Sequence, residues 1–184
     1  MTAVASMMPT AADLSAATSI PPGLRVNLKR SLGDWVSHDT LPGPCRFAYF
    51  QVPAFGDETA SDPSWNLPAI DFQANTDKSL YQQAIRIFED AQGAADYVRK
   101  AAGKLPECES FTDAQKTDWT MMRKDLQGLP PQAIAWTDRA STPSTVVIVP
   151  VKKAVVQVSG MHVSDQDLAM AARTAAAKVG AALQ

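Results

Sequence analysis

Two cysteines, Cys45 and Cys108, are the residues of this sequence best suited to covalent chemistry. They lie far apart along the chain, each near a proline and charged residues, and neither belongs to a CxxC pair. An even number of separated cysteines is typical of a structural disulfide, which persists in oxidising compartments outside the cytosol. We therefore predict a Cys45–Cys108 bridge and an exported protein.

Two alternatives to the disulfide remain open from the sequence. The cysteines could be free, buried thiols of a cytosolic protein. One could instead be a reactive thiol, which requires an electropositive neighbourhood. Arg46 adjoins Cys45, but Glu107 and Glu109 flank Cys108 and argue against reactivity there. If the bridge forms, closing so long a loop stabilises the fold by about 4 kcal/mol in the chain-entropy estimate.

Residues for general acid-base or metal chemistry are sparse. The chain has only two histidines, His38 in a polar segment and His162 between a predicted strand and a predicted helix. Two histidines and two separated cysteines do not form a zinc motif. No GxSxG nucleophile elbow and no glycine-rich phosphate loop is present. The sequence therefore predicts a protein that is not an enzyme, with no metal and no cofactor.

The paired carboxylates have a structural explanation. Glu89 and Asp90 precede one predicted helix, and Asp165 and Asp167 begin another. Carboxylates are favoured at helix N-termini because they cap free N–H groups and face the positive end of the helix dipole. A further acidic group lacks the spacing and terminal glutamate of a calcium loop: Asp71, Asn75 and Asp77.

One set of side chains could line a binding cleft. Trp119, Met121 and Arg123 alternate along one predicted strand, and Trp136 lies on the next. Arg86 lies on the less apolar face of another strand. Ligand pockets combine apolar and aromatic walls with a few polar groups, so we predict these five residues as ligand-binding. The alternative is core packing with Arg123 at the rim.

Composition and charge bound the class of protein. The chain has 184 residues, 17 basic and 19 acidic, with a net charge of −2. This length favours one domain, and the absence of a basic stripe argues against nucleic-acid binding. The apolar run 145–151 is too short to span a bilayer. The oligomeric state is left open.

The N-terminus shows no signal peptide, because it has neither a basic segment nor a continuous apolar segment. This conflicts with an exported disulfide unless the sequence is a trimmed ectodomain. We therefore expect a signal, a lipid anchor or a membrane helix upstream, and we expect residues 1–9 to be disordered or expression-derived. Residues 10–184 are predicted to form the single domain.

Apolar stripes with helical spacing predict three helices. Thr10, Asp90 and Ser164 are the predicted N-caps, and Gly103 is the predicted C-cap of the second helix. The predicted helices span 10–18, 91–102 and 165–183.

Alternating or β-branched runs predict the strands. Pro150 is expected at a strand end or bulge. Residues 24–37 fit a strand or a helix, and 53–79 is mainly irregular. The predicted strands span 46–52, 69–73, 81–88, 117–126, 133–139, 145–149 and 154–159. Short connections favour antiparallel pairing. The predicted fold class is α+β, with a single antiparallel β-sheet, helices packed on one face and an open cleft on the other.

Two segments carry a resemblance to a known family. The first is YQQAIRIFEDAQGAADYV (81–98), followed by Cys108, and the second comprises VVQVSG (155–160) and AAAKV (175–179). In order and spacing these segments resemble the extracellular sensor domain of the mycobacterial serine/threonine kinase PknH and related actinobacterial lipoproteins. The family commonly has a second disulfide with a cysteine after the last strand, where this chain has Ser159, Gly160 and Met161.

The resemblance implies a non-enzymatic, extracytoplasmic ligand-binding or sensor-like domain of a mycobacterial or related cell-envelope protein. Its partner would be an unidentified small molecule or envelope ligand bound in the cleft, and it would meet the membrane only through an anchor. The alternatives are a secreted envelope enzyme, an enzyme inhibitor that uses the 53–79 segment, and a structural envelope protein without a pocket.

Overall fold

The computed structural model describes most of the chain from residue 80 onward and separate segments before it. The described residues are 7, 9–18, 24–29, 42–48, 69–74, 80–114, 116–139 and 143–183. Sequence predictions that fall on 30–41, 49–68 and 75–79, including those for His38, Asn75 and Asp77, lie outside these residues.

Three α-helices among the described residues lie where the apolar stripes place them. They are α1, Ala11–Ala17; α2, Ala91–Lys104; and α3, Asp165–Ala182. Each predicted N-cap is confirmed, because the side chains of Thr10, Asp90 and Ser164 accept hydrogen bonds from backbone N–H groups of the first turn.

The predicted end of α2 at Gly103 is wrong. The helix continues through Gly103, and the N–H of Leu105 still donates to the carbonyl of Ala101. Leu105 is buried, so continued helical geometry places an apolar side chain in the core. Pro106 has no N–H to extend the α-helical ladder, and the chain tightens there into a 3₁₀-helix, Leu105–Cys108.

Within the described ranges, eight strands form one antiparallel sheet in the order β1-β2-β3-β8-β7-β6-β5-β4. Antiparallel pairing is confirmed for every strand pair in this order. The strands are β1, Leu24–Lys29; β2, Ala69–Ala74; β3, Leu80–Ile87; β4, Phe111–Thr112; β5, Asp118–Lys124; β6, Ile134–Arg139; β7, Pro143–Val151; and β8, Ala154–Met161.

Two strand predictions are refined by this topology. Within the ambiguous 24–37 segment, the described part is strand β1. Pro150 pairs with Val155 of β8, whereas β6 pairs with β7 only as far as Ile148. The proline therefore lies near the end of β7, beyond the part of β7 that pairs with β6. Its missing N–H costs no hydrogen bond to β6.

The strand predicted over 46–52 is wrong where it can be compared, because Gly43–Ala48 is a 3₁₀-helix. The N–H of Cys45 donates to the carbonyl of Pro42 at 2.9 Å, which starts a tight turn. Pro44 suits that start because its fixed φ is helical and its missing N–H is not needed. The aromatic residues favoured a strand, but this preference depends on packing against neighbouring strands.

Helices cover both faces of the sheet. On β7, Val147 and Val149 belong to an apolar cluster with α1 and α3, and Val146 and Ile148 belong to a second cluster with α2 and the 3₁₀-helices. We call these sides the α3 face and the α2 face.

The predicted α+β class, with one antiparallel sheet and helices packed on it, is confirmed. The structure corrects the placement of the helices, which are not confined to one face. The physical reason is the continuous apolar run 146–149, because a strand that is apolar on both sides must be covered on both sides. The alternation predicted for β3 is confirmed, with Ile85 in the α3-face cluster and Ala84 packed on the α2-face cluster.

The N-terminal helix is fixed to the C-terminal helix by core packing and by an ion pair. Leu14 of α1 is fully buried against the α3-face cluster, and Lys178 of α3 forms an ion pair with Asp13. The hydrogen bond from Lys178, together with those from Thr10, lowers the pKa of Asp13 to about 2.

Met7 also packs into the α3-face cluster and is only 7% exposed. This residue therefore departs from the disorder expected for 1–9, while the division of the chain at residue 10 stays a prediction. In the part of the chain that the structure describes, no helix is both long enough and apolar enough to cross a membrane.

A close approach at Gly160 of β8 gives a test of this packing. A Cβ placed there would lie 2.9 Å from Cβ of Val163 and 3.2 Å from Cδ1 of Leu168. We predict that Gly160→Ala lowers the free energy of unfolding by about 1–3 kcal/mol through overpacking. Gly103→Ala is the control, because nothing lies within 4 Å of its Cβ position in α2, and it should raise stability by about 0.5–1 kcal/mol. Urea denaturation measures both, and a Gly160→Ala midpoint at or above that of the parent would contradict the packing.

Candidate functional site

The five predicted ligand-binding residues lie on one face of the sheet. Arg123 pairs directly with Trp136, and Trp119 and Met121 alternate with Arg123 along β5. Directly paired residues share a face, and alternate residues return to it. Arg86 pairs with Val155, which belongs to the α2-face cluster. The structure therefore places all five residues on the α2 face.

Two of the five residues are core residues. Trp136 is 0% exposed and Met121 is 1% exposed. The ring of Trp136 meets that of Phe47 edge to face, with centroids 5.6 Å apart. Arg123 is exposed at the border of this cluster. These positions are those of the packing alternative, in which Met121 and Trp136 lie in the core and Arg123 lies at the rim. A ligand-binding role for the three residues stays a prediction.

The disulfide lies in the same cluster. Cys45 and Cys108 are bridged, with their Cα atoms 5.6 Å apart, and both are almost fully buried. The bridge joins the two 3₁₀-helices, one near the start of the chain and one directly after α2. The predicted pairing is present, and the bridge fixes an early segment against the α2 face.

Trp119 is held by its own hairpin. Its Nε1–H donates to the Oδ2 atom of Asp113 at 2.9 Å, and its ring lies parallel to that of Phe111 with centroids 6.2 Å apart. Asp113 also accepts a hydrogen bond from the N–H of Thr117. These contacts hold a half-buried aromatic surface at the β4–β5 edge of the sheet.

Arg86 is buried beneath α2. It is 3% exposed, and its Cζ atom lies 5.2 Å from the centroid of the Tyr97 ring. A guanidinium over an aromatic face is stabilised by the ring quadrupole. Arg86 therefore links β3 to α2, and a ligand-binding role for it stays a prediction.

Two buried polar atoms on the α2 face were missed by the sequence analysis. Nε1 of Trp136 and Oε1 of Gln157 are buried, and neither has a hydrogen-bond partner within the part of the chain that the structure describes. A buried polar group without a partner costs about 1–3 kcal/mol. The sequence contained one indication of these atoms. A glutamine, Gln157, lies inside the otherwise apolar run 155–158 of β8, where a side chain directed toward the core is normally apolar.

Asp138 adds a half-buried carboxylate to the same face. It pairs with Met121 on one side and with Ser144 on the other. Burial raises the pKa of Asp138 to about 6, because a carboxylate removed from water is disfavoured in its charged form. The sequence did not reveal this residue, since a polar residue near the end of a strand is ordinarily exposed.

The capping carboxylates and the described histidine occupy structural positions. Asp90 and Asp167 face the first turns of their helices, as the sequence predicted. His162 is exposed in the β8–α3 connection, with a φ of 55°. In the described ranges, no group of three or more His, Cys, Asp or Glu residues could hold a metal ion.

A groove on the other side of the sheet was not predicted. It lies between the β5–β6 connection and the first half of α3 and has a volume of about 540 Å³. Its lining residues are Asp125, Leu126, Gln127, Gly128, Asp165, Gln166, Ala169, Met170 and Arg173. None of the five predicted ligand-binding residues contributes to it.

The fold is that of a known extracellular domain. A solved structure similar to this chain is the extracellular domain of PknH from Mycobacterium tuberculosis, with a TM-score of 0.60 and 19% sequence identity, covering 97% of this chain and 93% of that chain. At this identity the likeness shows the fold, and the resemblance predicted from the sequence is confirmed at that level. No protein-family model matches the chain, and the search of curated proteins also gives no match.

The buried carboxyl of Asp138 gives a pH prediction. Between about pH 4 and pH 6 the folded state holds a proton on Asp138 that the unfolded state has lost, so stability falls as pH rises through this window. In the Asp138→Asn variant, the decrease in the free energy of unfolding between about pH 4 and pH 6 should be smaller by about 1–2 kcal/mol. Urea denaturation at several pH values measures it, with Asp125→Asn as an exposed control. Parallel pH profiles for the parent and Asp138→Asn would show that burial of this carboxyl has no such effect.

Proposed function

We propose that this chain is a non-enzymatic, extracytoplasmic ligand-binding domain of the sensor type. The observation that carries the extracytoplasmic location is the Cys45–Cys108 bridge in the core of the α2 face. Structural disulfides persist outside the reducing cytosol. The fold likeness to an extracellular domain supports the same location. Attachment to a cell envelope through a lipid anchor or a membrane helix belongs to this proposal.

The absence of catalysis is proposed from the positions of the reactive side chains. The two cysteines are joined to each other, so neither is available as a thiolate nucleophile. The carboxylate of Asp90 caps the first turn of α2, and that of Asp167 accepts a hydrogen bond from the hydroxyl of Ser164, the N-cap of α3. Catalysis by a nucleophile requires a base within hydrogen-bond reach, and these residues supply neither role.

The proposed ligand contact lies at the border of the α2-face core. Arg123 and Trp119 reach the surface there, while Met121 and Trp136 form the buried floor beneath them. Arg123 and the half-buried Asp138 provide charges of opposite sign on neighbouring strands. A floor of apolar side chains with a few polar groups at its border is the usual composition of a small-molecule site.

The indole Nε1–H of Trp136 favours a ligand that carries a hydrogen-bond acceptor. It is a buried donor without a hydrogen-bond partner, and a ligand acceptor that reached it would recover the cost of that unsatisfied group. We therefore propose a small molecule or envelope component that carries a hydrogen-bond acceptor and an apolar portion. The described part of 53–79, strand β2, is paired on both sides in the sheet, so it does not favour the inhibitor alternative.

The bridge is tested by intact mass on protein matured under oxidising conditions. We predict a mass two hydrogens below the reduced value and no alkylation of the denatured, non-reduced protein, because bridged cysteines have no free thiol. The Cys108→Ser variant is the control and should expose one alkylatable thiol. Two alkylated thiols in the parent protein would remove the main support for an extracytoplasmic location.

Ligand binding is tested with Arg123→Ala and a matched variant, Arg139→Ala. Both arginines are exposed on adjacent strands, but Arg139 pairs with Thr120 on the α3 face. In a thermal-shift panel of sugars, amino acids and lipids, a compound that stabilises the parent should lose its effect with Arg123→Ala and keep it with Arg139→Ala. Each unliganded variant should remain within about 0.5 kcal/mol of the parent.

Two results would count against this site. A large fall in the melting temperature of unliganded Arg123→Ala would give the arginine a structural role. Stabilisation that is equal in the parent and in Arg123→Ala would place the ligand elsewhere.

A further inference from the structure

The groove beside α3 has the size of a ligand site. We call it the α3 groove, and its lining comes from residues 125–128 and from Asp165, Gln166, Ala169, Met170 and Arg173. Its volume of about 540 Å³ falls within the range of about 300–1,000 Å³ that is usual for small-molecule pockets. It lies on the opposite side of the sheet from Arg123, so it is separate from the site proposed above.

Three charged residues line the α3 groove, and two of them, of opposite sign, do not form an ion pair with each other. Asp165 is paired with Lys124 at 2.6 Å. In contrast, neither Asp125 nor Arg173 has an ion-pair partner among the described residues. A carboxylate and a guanidinium therefore line the same groove and remain open to a ligand.

Arg173 is held over the groove by contacts to two uncharged groups. Its Nη1 atom donates to the carbonyl of Gly128 at 3.4 Å, and its Nη2 atom contacts the sulfur of Met170 at 2.8 Å. The first distance is at the long end for a hydrogen bond. The remaining N–H groups of the guanidinium fork can bind a carboxylate in bidentate geometry.

Gly128 provides the space that this arrangement needs. Its φ is +83°, and a Cβ at this position would lie 3.2 Å from Nη1 of Arg173. A residue with a side chain would be strained in this backbone conformation and would displace the guanidinium. The turn therefore places Arg173 beside the backbone of the β5–β6 connection.

The floor of the groove is apolar. Leu126 packs against the α3-face cluster, and Ala169 is 3% exposed. Met170 completes this floor with a flexible side chain that adapts to different shapes. The groove thus joins an apolar floor to the unpaired carboxylate of Asp125 and the guanidinium of Arg173, with the paired carboxylate of Asp165 also in its lining.

We propose that the α3 groove binds a short zwitterionic peptide. Its carboxylate would meet Arg173, its ammonium group would meet Asp125, and an apolar side chain would rest on the floor. Charge complementarity selects this class, since an anionic ligand would meet the carboxylate of Asp125 and a cationic one the guanidinium of Arg173.

The test uses the tripeptide Ala-Leu-Ala with free termini and follows amide shifts by ¹⁵N NMR. Shifts should concentrate in 125–128 and 165–173, with saturation at concentrations of about 1–10 mM, as expected for weak binding. N-acetylation and C-amidation of the peptide should each weaken binding by about threefold, because the two charged contacts are exposed.

Variants assign each terminus. Asp125→Asn should remove the effect of N-acetylation, and Arg173→Gln should remove the effect of C-amidation. Arg99→Gln, an exposed change on α2, is the control and should bind as the parent does. Binding of doubly blocked peptide with unchanged affinity would overturn the proposal, as would the absence of shifts.

A third outcome separates this proposal from the site on the α2 face. Shifts confined to residues near Arg123, and abolished by Arg123→Ala, would overturn the α3 groove as a peptide site. They would leave the proposed ligand-binding function standing.

Discussion

The structure depends on the burial of β7 and β8 from both sides. Val147 and Val156 face α3, whereas Ile148 and Val155 face α2. Each buried aliphatic side chain contributes about 1.5–3 kcal/mol relative to exposure, so neither face can be left open to water. This requirement places one long helix on each side of the sheet, and it separates the molecule into two surfaces with different chemistry.

On the α2 face, the disulfide and the aromatic core depend on each other. The segment 42–48 contributes two residues to this face. Phe47 packs against Trp136, and Cys45 forms the disulfide with Cys108. Cys108 lies directly after α2, and the chain then reaches the far edge of the sheet at β4. The bridge therefore ties the connection that crosses this face to an early segment. Tryptophan and methionine residues that could have lined a cleft serve this core, and the accessible chemistry moves to its border.

The structure also explains why the sequence-predicted site was only partly informative. Alternation along β5 correctly placed Trp119, Met121 and Arg123 on one face, because successive strand residues point to opposite sides. Alternation does not reveal whether that face is open, since coverage by α2 depends on contacts distant in sequence. The burial of Asp138 and the α3 groove were not predicted for the same reason. Both arise where segments distant in sequence meet.

The sequence by itself determined the local elements, because caps, apolar stripes and β-branched runs act through neighbouring residues. Thr10, Asp90 and Ser164 begin helices as predicted, and most strands lie where alternation placed them. Tertiary structure decided the rest. It turned 43–48 into a 3₁₀-helix and extended α2 beyond Gly103. It also divided the helices between two faces. These outcomes follow from long-range burial, which favours the arrangement that removes the most apolar surface from water.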